Sequence, residues 1–115
     1  MNKINTKDLK IIFAGCAKNC EKFLLKNLEN LKLYSSLFKE SYKIIVENGS
    51  TDQTKKILQQ NKGKNDFFLH KEELNQLNFR GYRLEKARNC IIETIKKNNI
   101  LNQCDLLIIL DFDDS

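Results

Sequence analysis

Proline and tryptophan are missing from this 115-residue sequence, and histidine and methionine occur once each. The lack of proline, beside an excess of Lys, Asn and Ile, is a compositional bias and carries no functional reading. Other absences exclude more. No apolar run approaches the roughly 20 residues of a spanning helix, and residues 1–10 lack the apolar stretch of a secretory signal. The cysteines, Cys16, Cys20, Cys90 and Cys104, include no Cys-x-x-Cys pair, which excludes the usual zinc and redox spacings. Without an export signal, reduced structural thiols are expected. No internal repeat, linker or low-complexity segment interrupts the chain. The expectation is a soluble, cytoplasmic protein of one domain spanning residues 1–115, with no transmembrane segment.

A mass of 13.5 kDa corresponds to a folded surface of about 6,500 Å² against about 19,600 Å² unfolded, enough burial for one compact unit. The net charge of +5, from 20 basic and 15 acidic residues, favours anionic partners such as nucleotides or phosphates. Nucleic acid is not expected, because no aromatic stacking pattern accompanies the basic residues Arg80, Arg83 and Arg88.

Along the chain, Lys10 to Ala14 is a short apolar run bounded by Gly15, long enough for a strand and too short for a helix. From Cys20 to Leu37, Phe23, Leu24, Leu28, Leu31 and Tyr34 recur at helical spacing, with the leucines expected in the core. Tyr42 to Val46 is a second strand ending in the polar set Glu47-Asn48-Gly49-Ser50. Ser50 and Gln53 have capping-box spacing, which predicts that the following helix begins there and ends near Asn61 or Gly63. Asp66 to Leu69 reads as a third strand, and 70–78 stays unassigned. Leu84, Ala87, Ile91, Ile92 and Ile95 predict a helix from about Tyr82 to Lys97. The uninterrupted run Leu106 to Leu110 reads as a fourth strand buried on both faces. This alternation predicts an α/β fold, a mainly parallel sheet of about four strands with flanking helices. The C-terminal strand ends then share one edge, bringing Gly15, Glu47 and Asp111 to one rim where ligands bind.

Asp111-Phe112-Asp113-Asp114 is the sharpest chemical signal. In an extended segment Asp111 and Asp113 point the same way, and two adjacent carboxylates favour a cation between them. Hard oxygen donors suit Mg²⁺ or Mn²⁺. Glu47-Asn48-Gly49-Ser50-Thr51-Asp52-Gln53-Thr54 and Lys86-Ala87-Arg88-Asn89 add context. With the acidic ending, they resemble the nucleotide-binding half of family 2 glycosyltransferases of the Rossmann-like GT-A fold, from about Lys10 to Asp114. Arg80 to Asn89 together with Glu47 to Ser50 is also similar to fungal capsule-associated mannosyltransferase-like families. Two positions depart from the family pattern: Asn48 stands where a second acidic residue is more frequent, and Cys16 near the usual proline and aromatic.

The resemblance implies a glycosyltransferase moving a sugar from a nucleotide-diphospho-sugar to an acceptor of unspecified class, glycan, lipid or protein. It implies that Glu47, with backbone near Ala14 and Gly15, contacts base or ribose. Asn48 belongs to the same substrate-binding set. Arg88 would reach base or phosphates, and Asp111 and Asp113 the ribose and a metal-bound diphosphate, with Mn²⁺ or Mg²⁺ as cofactor. Members of that family continue beyond Asp-x-Asp with an acceptor-binding half. The expectation is therefore the donor-binding part of a larger unit, and no catalytic base is assigned.

Two alternatives come from other classes. Leu107 to Ser115 also looks like the opening motif of haloacid dehalogenase-type phosphatases, with Asp111 as nucleophile and Asp113 as acid/base. The other is a non-catalytic nucleotide-binding module. His70 has no Ser or Cys partner nearby and reads as a surface residue. Asp52 reads as a carboxylate in the first turn of the second helix. Phe67 and Phe68 read as core or sheet-edge residues.

Overall fold

The computed structural model describes residues 5–72 and 80–112, with the backbone alone at 80–83 and 111. A 3₁₀ turn at Thr6–Asp8 precedes β1 (Lys10–Ala17), α1 (Glu21–Ser35), β2 (Glu40–Glu47), α2 (Thr54–Gln60), β3 (Asp66–His70), α3 (Arg80–Lys97), α4 (Asn99–Asn102) and β4 (Leu106–Asp111). The sheet runs β3-β2-β1-β4 and every pairing is parallel. This is the expected α/β architecture, compatible with a Rossmann-like half-domain. Among the described residues no helix is long and apolar enough to cross a membrane.

Strand alternation divides the core into two layers. Ile11, Phe13, Ala17 and Ile45 face Leu24, Leu28 and Leu31 of α1 and Leu58 of α2. Ile12, Ala14, Cys16, Ile44 and Val46 face Ala87 and Ile91 of α3 and Leu101 of α4. Each such leucine or isoleucine contributes roughly 1.5–3 kcal/mol by leaving water. The inward stripe of α1 is narrower than its leucine content suggests, because Leu25 and Leu33 are exposed.

Two strand expectations are corrected. β1 does not stop at Ala14 but continues through Gly15 to Ala17. A Cβ on Gly15 would lie 2.3 Å from the Leu110 carbonyl oxygen and 2.7 Å from the Phe112 ring, so the glycine serves a close approach within the sheet. β4 is not buried on both faces: Leu106, Leu107, Ile108 and Ile109 are 40–47% exposed. Among the described residues β4 is an edge strand paired only with β1, while α3 packs over β1 and β2. An apolar run signals burial of a central strand; here topology leaves both of its faces open.

Candidate functional site

Parallel pairing aligns the C-terminal ends of the strands. Ala17, Glu47 and His70 are register partners across β1, β2 and β3, and Asp111 pairs with Cys16. The strand order reverses between β1 and β4, and the crevice outside the carboxyl ends there is where open α/β sheets bind ligands. Ala14 and Gly15 do not reach this edge. Both are buried in β1 with partners on either side, Ile44 and Ile109 for Ala14 and Ile45 and Leu110 for Gly15. At roughly 3.3 Å per residue, Gly15 lies about 7 Å below Ala17. Phe112 is 3% exposed and packs in the α1 layer of the core. The middle residue of the acidic motif is therefore its anchor.

The loops after β1 and β2 are laced together. The Asn19 amide donates to Ser50 Oγ at 3.0 Å, the Cys20 amide to Thr54 Oγ1 at 2.9 Å and the Glu21 amide to Asp52 Oδ2 at 3.2 Å. In return the Thr51 amide donates to Asn19 Oδ1 at 2.8 Å and the Gln53 amide to Glu21 Oε2 at 3.4 Å. Asn19 holds a left-handed φ of 49° to make this exchange. The capping box expected at Ser50 does not form. Its hydroxyl serves Asn19, and α2 begins four residues later at Thr54. Asp52 precedes that helix, accepting the Thr54 amide at 2.9 Å through Oδ1.

One carboxylate thus bridges the starts of two helices. Partial burial pushes the Asp52 carboxyl upward, but hydrogen bonds from Thr54 and from the Glu21 amide outweigh it and hold the group below its ordinary 3.8. Sequence reading saw a helix-dipole partner for α2 but missed the link to α1. Helix amino termini in Rossmann-type folds commonly receive phosphate. At α1 the amides of residues 19–21 are already taken by Ser50, Thr54 and Asp52, so a phosphate there would have to displace a carboxylate.

Glu47 is fully buried. Its Oε2 accepts the Ser50 amide, and its Oε1 lies 3.3 Å from His70 Nδ1. His70 is therefore not an unattached surface residue but the last residue of β3, joined to the buried acid of β2. Asn48 is 3% exposed; its backbone amide donates to the Ala17 carbonyl at 3.0 Å, and its Oδ1 has no hydrogen-bond partner among the described residues. A buried acceptor is ordinarily hydrogen-bonded, since leaving one unpaired costs roughly 1–3 kcal/mol. Gly49, with φ 70°, turns the chain directly after it.

Arg88 is exposed on α3, about 12 Å along the helix axis from Arg80 at 1.5 Å per residue. Asp111 ends β4 at the shared edge, and Asp113 lies outside the described residues. Among the described residues no group of three His, Cys, Asp or Glu is placed to hold a metal ion. The edge therefore offers an acceptor at Asn48, an imidazole at His70 and the acidic end of β4. No protein-family model and no curated protein sequence matches the chain.

Proposed function

We propose that the chain is the donor-binding part of a glycosyltransferase, holding a nucleotide-diphospho-sugar across the carboxyl edge of its sheet. The observation that carries this reading is the register: Glu47 pairs with Ala17 and Asp111 with neighbouring Cys16, so the Glu47-Asn48-Gly49-Ser50 turn and the acidic end of β4 share one edge. The unpaired Asn48 Oδ1 supplies an acceptor for the nucleoside. The occupied amino terminus of α1 argues against a dinucleotide seated there, and directs the diphosphate toward β4.

Departure of a nucleoside diphosphate builds negative charge, which a cation and an arginine stabilise. In this reading Mn²⁺ or Mg²⁺ sits with Asp111 and Asp113, Arg88 reaches the donor, and the acceptor is met by groups beyond those described. The test is thermal unfolding with UDP, GDP and their sugars, with and without Mn²⁺. Ligand at 100 times its Kd stabilises by about 2.7 kcal/mol. Stabilisation that needs nucleotide and metal together, and that Asp111→Asn removes, is expected. No shift with any nucleotide overturns the proposal.

A further inference from the structure

The pairing of Glu47 with His70 belongs to neither the acidic motif nor the arginine helix. A carboxylate with no exposed surface has no face left for a ligand, and its two oxygens already meet the Ser50 amide and the His70 ring. The imidazole is different. Its side chain is 22% exposed, its Nδ1 faces Glu47, and its Nε2 has no partner among the described residues. His70 stands in register with Glu47 at the same sheet edge as Ala17.

We infer that His70 is a ligand-binding residue, oriented by Glu47, whose Nε2 meets a ribose hydroxyl of the bound nucleotide. In this inference Nδ1 donates to the Glu47 carboxylate 3.3 Å away, a contact that sets the ring's orientation and tautomer together. The ring nitrogen turned away from Glu47 suits a ribose hydroxyl, which can serve as donor or acceptor toward it. The base or ribose contact that the resemblance implies for Glu47 is in this way relayed, on its ribose side, through His70. This inference rests on the nucleotide-sugar reading and deepens it.

The experiment pairs a variant with a ligand deletion. Affinities of the protein and of His70→Ala are measured for UDP or GDP, whichever the unsubstituted chain binds, and for its 2′-deoxy and 3′-deoxy analogues. One deoxy analogue should bind the unsubstituted protein about fivefold to tenfold more weakly, the worth of one hydrogen bond. In His70→Ala that difference should vanish while metal-dependent binding of the parent nucleotide persists. His70→Gln, whose amide also donates and accepts, should recover part of the discrimination. Because the chain has one histidine, its ring resonances are unambiguous. Without ligand they should report a protonated Nδ1, and nucleotide should shift them. Equal affinity for ribose and deoxyribose forms in the unsubstituted protein overturns the inference, as does an unprotonated Nδ1 or a preference surviving in His70→Ala. In those outcomes nucleotide still binds and the proposed function stands, whereas failure of every nucleotide to bind overturns both.

Discussion

Replacing Gly15 with alanine tests how the acidic end of β4 is held. The new Cβ would lie 2.3 Å from the Leu110 carbonyl oxygen and 2.7 and 2.9 Å from two Phe112 ring carbons, where ordinary contact begins at 3.4 Å. Relieving the backbone clash requires β4 to move by about 1 Å, beyond what a tightly packed interior absorbs. Overpacking alone costs about 1–3 kcal/mol, and lost burial of the Phe112 ring adds roughly 2 kcal/mol. The expected penalty is about 3–5 kcal/mol, a large share of the 5–15 kcal/mol that holds a typical domain together. Because β4 stands at the edge of the described sheet beside β1, the damage should concentrate there. Urea unfolding gives the total, and amide hydrogen exchange locates it. Gly63→Ala is the control, since its Cβ would meet nothing closer than Asp66 Oδ2 at 3.3 Å. If Gly15→Ala unfolds within about 1 kcal/mol of the parent, or if the amides of residues 106–111 stay protected, the packing of Phe112 over Gly15 is refuted.

Asp52→Ala should lower stability by about 1–2 kcal/mol, the scale of a lost helix cap, as measured by urea unfolding. The Asp52 carboxyl is held below 3.8 in the folded chain, so its stabilisation is present above that pH and disappears as pH falls through the folded value. Asp52→Asn should flatten this acid limb, and an unchanged limb would remove Asp52 from the account. Tyr42 has the opposite sign. Burial, with the 2.8 Å hydrogen bond from its hydroxyl to Glu40 Oε2, pushes its phenol up to about 12. Its contribution is complete below pH about 10, the ordinary value, and fades as pH rises toward 12. Tyr42→Phe should lose that alkaline limb, seen as a flatter Tm profile from pH 9.5 to 11.5. Asn19→Gly relieves the φ of 49° but removes the Thr51 acceptor, and Asn19→Ala keeps the strain while losing the same bond. The alanine variant should therefore be the less stable of the two, by about 0.5–1 kcal/mol in urea.

The elements were legible because strand and helix periods differ and each crossover carries its own apolar stripe. Tyr42 to Val46 and Leu106 to Leu110 declare strands by composition, and Ala87 and Ile91 declare the inward face of α3. What escaped was set by relations across the chain. The Leu106 to Ile109 run reads the same in a central and an edge strand, and strand order alone decides its 40–47% exposure. His70 meets Glu47 through the β2–β3 register, a pairing of residues 23 apart with no local signature. The Ser50 spacing suits a capping box, but Asn19, 31 residues away, takes the hydroxyl. Local patterns name the groups that need partners; topology assigns the partners.

The exchange between residues 19–21 and 50–54 also narrows where an anion can sit. In a parallel α/β sheet the ready-made phosphate site is the amino terminus of the first helix, where free amides and the helix dipole converge. Here Ser50, Thr54 and Asp52 answer the amides of residues 19–21, and the Asp52 carboxylate stands at the first residue of α1. A diphosphate placed beside Asp52 would set like charges together in a site with no amide left at residues 19–21 to offset them. The other arm of the edge, between β1 and β4, ends in Asp111, and a diphosphate proposed there is expected to come with a cation. Nucleotide binding that proceeds equally well in chelator would show that the diphosphate had found amides after all. Asp52→Gly, which frees the Glu21 amide, should be the variant that acquires metal-independent binding.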